Sequence, residues 1–149
     1  MKLSQRPTPE PLSSIFQESY MTHPPRSLDV PGLSHNAPIP VGARVGNLIC
    51  SSAIAGKDPV SGLLPGDAAA QAALAFSNMR TLLELGGGSF ADVAKLTVYV
   101  KDNSVREAVN DEWLACFPNP HDRPARHILV QDLQHGMWLQ LECIAVLAN

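Results

Sequence analysis

The run Leu139-Gln140-Leu141-Glu142-Cys143-Ile144-Ala145-Val146 constrains the fold more than any other stretch of the chain. Its alternation at period two makes it a strand with one face against a core: Leu139, Leu141, Cys143 and Ala145 point one way, and Gln140, Glu142, Ile144 and Val146 the other. Glu142 therefore shares a face with two aliphatic residues and is partly buried. A buried carboxylate is costly unless it is paired or used. The strand before this one opens at Pro124-Ala125-Arg126. A guanidinium is permanently charged and grips a carboxylate through a planar fork of donors, so Arg126 and Glu142 make a site for a small anion and an activated water. That the same two residues form a structural ion pair or merely touch solvent is an equal alternative, because such networks perturb charges without catalysing anything.

The rest of the chain supplies the partners that this strand needs. Arg44-Val45-Gly46-Asn47-Leu48-Ile49-Cys50-Ser51-Ser52 reads as two short strands joined at the Gly46-Asn47 turn. Asp67 caps a helix in which Ala72, Phe76, Met79 and Leu83 recur at helical spacing until Gly86-Gly87-Gly88 ends it. Val93 to Val100 is rich in β-branched residues and reads as a strand, and Val105, Val109, Trp113 and Cys116 or Phe117 mark a second amphipathic helix. The order ββ, α, β, α, ββ predicts an α+β domain, with a mixed sheet carrying two helices on one face. At 149 residues one domain is enough. Eight of the thirteen prolines fall in the first forty residues, which predicts an irregular Pro-rich arm over 1–33 ahead of a domain over 34–149.

Several function classes are disfavoured. No apolar run approaches the ~20 residues that a membrane span requires, and the first residues lack the apolar core of a secretory signal, so a cytoplasmic protein is expected. The net charge is -3 and lysines and arginines are scattered singly, which argues against a nucleic-acid partner. Three cysteines, at 50, 116 and 143, fit neither a disulfide framework nor a paired-cysteine zinc site. His121 and His127 suggest a metal, but Pro124 prevents a helix from aligning them, and Arg123 and Arg126 repel a cation; no metal site is expected. Gly86-Gly87-Gly88 follows a helix instead of opening one, so it is a terminator and not a phosphate cradle. Ser51 and Ser52 lack the Gly-x-Ser-x-Gly elbow of a serine nucleophile. Asn110 carries little weight alone, since asparagines on helix surfaces are common.

From about Pro38 to Val146 the chain resembles the reactive intermediate deaminase family, also called the Rid or YjgF family or the endoribonuclease L-PSP-like proteins. The resemblance is carried by Val45-Gly46-Asn47-Leu48-Ile49 with Ser52, by Gly87-Gly88-Ser89 with Asp92-Val93 and Lys95, and by Val100-Lys101-Asp102. It continues in Val109-Asn110, Pro124-Ala125-Arg126 and Leu141-Glu142-Cys143-Ile144-Ala145-Val146. It implies a chorismate-mutase-like fold assembled as a homotrimer with clefts between subunits. It also implies hydrolysis of 2-imino or enamine acids to 2-oxo acids and ammonia without a cofactor, the ligand being a small 2-imino or 2-oxo carboxylic acid. By the same resemblance Arg126 binds the substrate carboxylate and Glu142 holds or activates the water. Ser52, the backbone amide of Ala53, Asn110 and the backbone at Ile128 line the pocket.

The chain departs from the family pattern at three places. Ala37-Pro38-Ile39 stands where many members have Gly-Pro-Tyr, Ala53-Ile54 replaces Gly-Gln after the serine, and His127 takes the place of a serine after the arginine. Ile39 and His127 thus enter the pocket lining, and a more apolar pocket for larger side chains is expected. Three rival readings are a non-catalytic regulatory module that binds small carboxylates, a specialised deaminase or hydrolase of a catabolic pathway, and RNA cleavage. The acidic balance and the lack of an aromatic stacking platform speak against the last.

Overall fold

The computed structural model describes residues 24–149. Its strands are β1 (Ser27–Leu28), β2 (Gly42–Val45), β3 (Leu48–Ser51), β4 (Ile54–Ala55), β5 (Val93–Val100), β6 (Ala125–Val130) and β7 (Leu139–Val146). Helix α1 (Ala68–Leu85) lies between β4 and β5, and α2 (Arg106–Cys116) between β5 and β6. The seven strands form one mixed sheet in the order β1-β2-β3-β7-β5-β6, with β4 also paired to β7. All pairs are antiparallel except β5 with β6, which are parallel and joined through α2. The expected α+β domain, with two helices on one face of a mixed sheet, is what forms.

Local chemistry sets the element ends. Gly46 has φ 60° as the first of two turn residues between the paired Val45 and Leu48, while Asn47 keeps a negative φ, as a type II′ hairpin turn requires. The Asp67 carboxylate accepts from the Ala70 N–H at 2.8 Å and caps α1. At the other end the Gly88 N–H donates to the Leu83 carbonyl at 2.8 Å and the Gly87 N–H to Glu84 at 3.0 Å, with Gly87 at φ 86°. That pairing is a Schellman motif, which is why the glycine run stops the helix.

Burial follows the periodicities. Ala72, Phe76, Met79 and Leu83 of α1 pack on Leu139, Leu141, Cys143 and Ala145 of β7, and Val105, Val109, Trp113 and Phe117 complete the same core. The apolar stripe of α2 ends at Phe117, with Cys116 only half-buried. Each large side chain withdrawn from water here contributes roughly 1.5–3 kcal/mol.

Two short strands were not expected. The predicted irregular arm falls on residues 1–23, outside the described residues, and on 24–33, which are irregular except at the two-residue strand β1. Ser27–Leu28 pairs with Gly42 and Ala43, and Val30 and Leu33 are buried. Two residues are too short for a periodicity to show, and the sheet edge supplied by β2 decides their conformation. β4 arises in the same way, by pairing Ile54 with Leu141 and Ala55 with Gln140. No helix of the described residues is long and apolar enough to cross a membrane.

Candidate active site

The strand registers divide the expected site residues into two groups. Cys50 pairs with Ile144 on β7, whereas Ile54 pairs with Leu141, so two residues, Ser52 and Ala53, stand opposite Glu142 alone. A two-against-one bulge of this kind breaks the ladder and re-aims the local backbone. Side chains fill the gap: the Ser51 hydroxyl accepts from the Cys143 N–H at 2.8 Å. Ser52 donates through its hydroxyl to the Pro40 carbonyl at 2.8 Å, and through its amide to the Val41 carbonyl at 2.8 Å, which ties the Ile39–Pro40 segment to the bulge. Ile39 is exposed at that segment. Ser52 and Ala53 thus stand opposite Glu142 with the Ile39–Pro40 segment tied to them, one half of the candidate site.

Helix α1 holds this half in place. Asn78 is buried, and its amide nitrogen donates to the carbonyls of Ala55 at 3.0 Å and Lys57 at 2.9 Å on either side of Gly56. Gly56 lies so close to the helix that a Cβ there would stand 2.1 Å from the Gln71 carbonyl oxygen. Gln71 is itself buried and fully engaged: it donates to Pro65 at 2.7 Å and Gly136 at 2.9 Å and accepts from the Trp138 N–H at 2.8 Å. Beside the bulge a small cavity is lined by His35, Ala53, Lys57 and Gln140, and the His35 Nε2 is buried there without a hydrogen-bond partner.

The second half is built on the edge strand β6. Arg126 pairs with Leu96, which pairs with Cys143; both of those side chains are in the core, so Arg126 leaves the sheet on the helix face. There its Cζ lies 4.7 Å from the centroid of the Trp113 ring on α2. Its Nη1 is buried with no hydrogen-bond partner. Burial lowers the proton affinity of this guanidinium, and the positive charge of Arg106 lowers it further. Asn110, one helical turn before Trp113, is exposed, and Ile128 is half-buried on the same face of β6 as Arg126.

Glu142 and Arg126 do not meet within the chain. Glu142 pairs with Thr97 and Thr97 with His127, so these three side chains line the open face of the sheet, opposite the helices. His127, next to Arg126 in sequence, thus belongs with Glu142, and it is exposed. This geometry excludes an ion pair between Arg126 and Glu142 within one chain; both side chains are half-buried. Trp113 carries a contact that the sequence reading assigned to the core alone; its spacing of three from Asn110 on one helix is the signal that links it to the site. Among the described residues no group of three or more His, Cys, Asp or Glu is placed to hold a metal ion.

Comparison with known proteins agrees with this architecture. Residues 35–147 match the family model described as Endoribonuclease L-PSP. A RutC family protein of Haemophilus influenzae is 36% identical over 121 residues, covering 76% of this chain and 93% of its own length. A 2-iminobutanoate/2-iminopropanoate deaminase of Escherichia coli is 33% identical over 120 residues, covering 76% and 94%. Among solved structures, RidA from an Antarctic Psychrobacter superposes with a TM-score of 0.76 at 27% identity, covering 82% of this chain and 99% of that one. The YjgF gene product of Escherichia coli gives 0.74 at 29% identity, with coverage of 81% and 98%. With its mixed sheet, its two helices and this match over most of its length, the chain belongs to the Endoribonuclease L-PSP family, the Rid or YjgF proteins.

Proposed function

We propose that the protein hydrolyses 2-imino acids, and the enamines that tautomerise to them, to 2-oxo acids and ammonia. Arg126 carries the reading: a guanidinium held over an indole ring, with a buried and unpartnered Nη1, is a receptor for a carboxylate. The deaminase name of the Escherichia coli relative supports the same chemistry.

Arg126 takes the substrate carboxylate through paired hydrogen bonds. Glu142 removes a proton from water as the water oxygen adds to the imine carbon, giving a carbinolamine. That proton passes from Glu142 to the imine nitrogen, which completes the neutral carbinolamine. Glu142 then takes the carbinol O–H proton as the C=O bond forms and delivers it to the amino nitrogen as the C–N bond breaks, so that ammonia leaves and the carboxylate is regenerated. The Ser52 hydroxyl, the Ala53 amide, the Asn110 side chain and the backbone at Ile128 line the cleft. Ile39 and His127 shape its wall, and the extra apolar surface favours side chains larger than that of the three-carbon imine.

The cleft closes between copies of the chain, with Arg126 from one and Glu142 from the next, since the two leave opposite sheet faces within a single chain. Exposed Val45, Leu48, Ile144 and Val146 are brought together by register on the face that carries Glu142. A homotrimer with a chorismate-mutase-like arrangement buries that apolar surface and forms three such clefts. RNA cleavage is not favoured, because the net charge of -3 supplies no basic track for a phosphate backbone.

The test couples an amino acid oxidase, as a source of several 2-imino acids, to semicarbazide trapping. Imine loss faster than the uncatalysed rate, abolished in Arg126→Ala, is the expected result. No acceleration with any imine removes the deaminase reading and leaves a carboxylate-binding module.

A further inference from the structure

The position of Arg126 is unusual for an arginine so close to the core. A guanidinium held by a carboxylate gives up two of its five donors, and a ligand must then compete for them. An aromatic face holds a cation through its quadrupole and presents no oxygen acceptor. Arg126 is held in the second way, over Trp113 at 4.7 Å, and keeps Nη1 unpartnered. Trp113 is itself fixed. It is 8% exposed, its ring lies 4.7 Å from that of Phe117, and Phe117 meets Phe90 nearly edge-on at 5.6 Å. A chain of three rings therefore runs from beneath the arginine along the buried side of α2. The repulsion from Arg106 adds to the demand of this site for an anion.

We propose that Trp113 is a positioning residue for substrate: its indole face holds the Arg126 guanidinium so that free N–H donors meet the incoming carboxylate. This deepens the proposed deaminase reading and rests on it for the kinetic test, but not for the binding test. The face of the ring is what counts. Phenylalanine keeps a face at this position, whereas leucine keeps only bulk.

Replacing Trp138 with Phe leaves Trp113 as the one tryptophan of the chain. Titration of Trp138→Phe with 2-oxobutanoate is expected to change the Trp113 emission with the same midpoint as the heat of binding. Both signals are expected to vanish when Arg126→Ala is added. In the full chain, Trp113→Leu is expected to raise KM for 2-iminobutanoate about tenfold, with kcat changed less than about twofold, and Trp113→Phe to recover most of the loss. Heat without a change in emission overturns the proposal, even if Trp113→Leu fails to fold. A folded Trp113→Leu protein with the original KM overturns it too, as does Trp113→Phe impaired as far as Trp113→Leu. Binding and an emission change without imine hydrolysis remove the deaminase reading and support the platform; no binding of 2-oxobutanoate removes the platform, and the imine assay decides the deaminase reading separately.

Discussion

Arg126 and Glu142 leave the sheet by opposite faces, on strands separated by β5. Two strand spacings put their backbones roughly 10 Å apart before the side chains diverge, so one small substrate cannot touch both in a single chain. A site shared between copies predicts complementation. Arg126→Ala and Glu142→Gln proteins are each expected to be inactive. Denatured together at equal concentration and refolded, they are expected to regain activity at about a quarter of the sites, by random pairing of two chain types. A mixture as inactive as its parts would place the whole site within one chain.

Glu142→Gln separates turnover from binding. Loss of one positioned general acid-base is expected to lower kcat by about 10² to 10⁴, while the calorimetric Kd for a 2-oxo acid, set by Arg126, stays within about threefold. A Glu142→Gln protein with unchanged kcat would make the carboxylate a lining group only.

Cys143 gives a pH dependence of known sign. Burial pushes its thiol up to about 11, against the pull of the Ser51 hydroxyl. The folded state therefore keeps its proton where the unfolded chain has already lost it, and this stability is present below the ordinary thiol range and lost as pH rises towards 11. Urea denaturation is expected to show stability falling between about pH 9 and 11 by up to ~1.4 kcal/mol per unit more than in Cys143→Ala. Equal slopes for the two proteins would contradict the burial of an ionisable thiol there.

Gly56→Ala tests the attachment of the bulge to α1. The new methyl would meet the Gln71 backbone oxygen at 2.1 Å, and neither backbone can yield without moving β4 from Leu141. A loss of about 1–3 kcal/mol is expected in urea denaturation, together with a fall in kcat/KM. Gly66→Ala, with nothing within 4 Å of the added atom, is the matched control and is expected to leave both unchanged.

The alternation in β7, the stripe of α1 and the capping of α1 by Asp67 and Gly87 were legible because each is a local signal, readable within one or two turns of helix or one strand. They suffice for the fold class and for the inward and outward faces of the strand that bears Glu142. The short strands β1 and β4 were not legible, since two residues acquire a strand conformation only from the edge they pair with. The bulge of Ser52 and Ala53 against Glu142 was hidden for the same reason: it exists as a difference between two registers with β7.

The sequence by itself determined the elements, their buried faces and the residue types available for an anion and a water, because these follow from periodicity and side-chain chemistry. Only the tertiary structure decided which of those residues meet. Strand order inserts β5 between Arg126 and Glu142, register sends them to opposite faces, and helix packing brings Trp113 beneath the guanidinium. Strand order, register and helix packing are relations between distant segments, settled by long-range packing of the whole core, and no short window of the chain contains them.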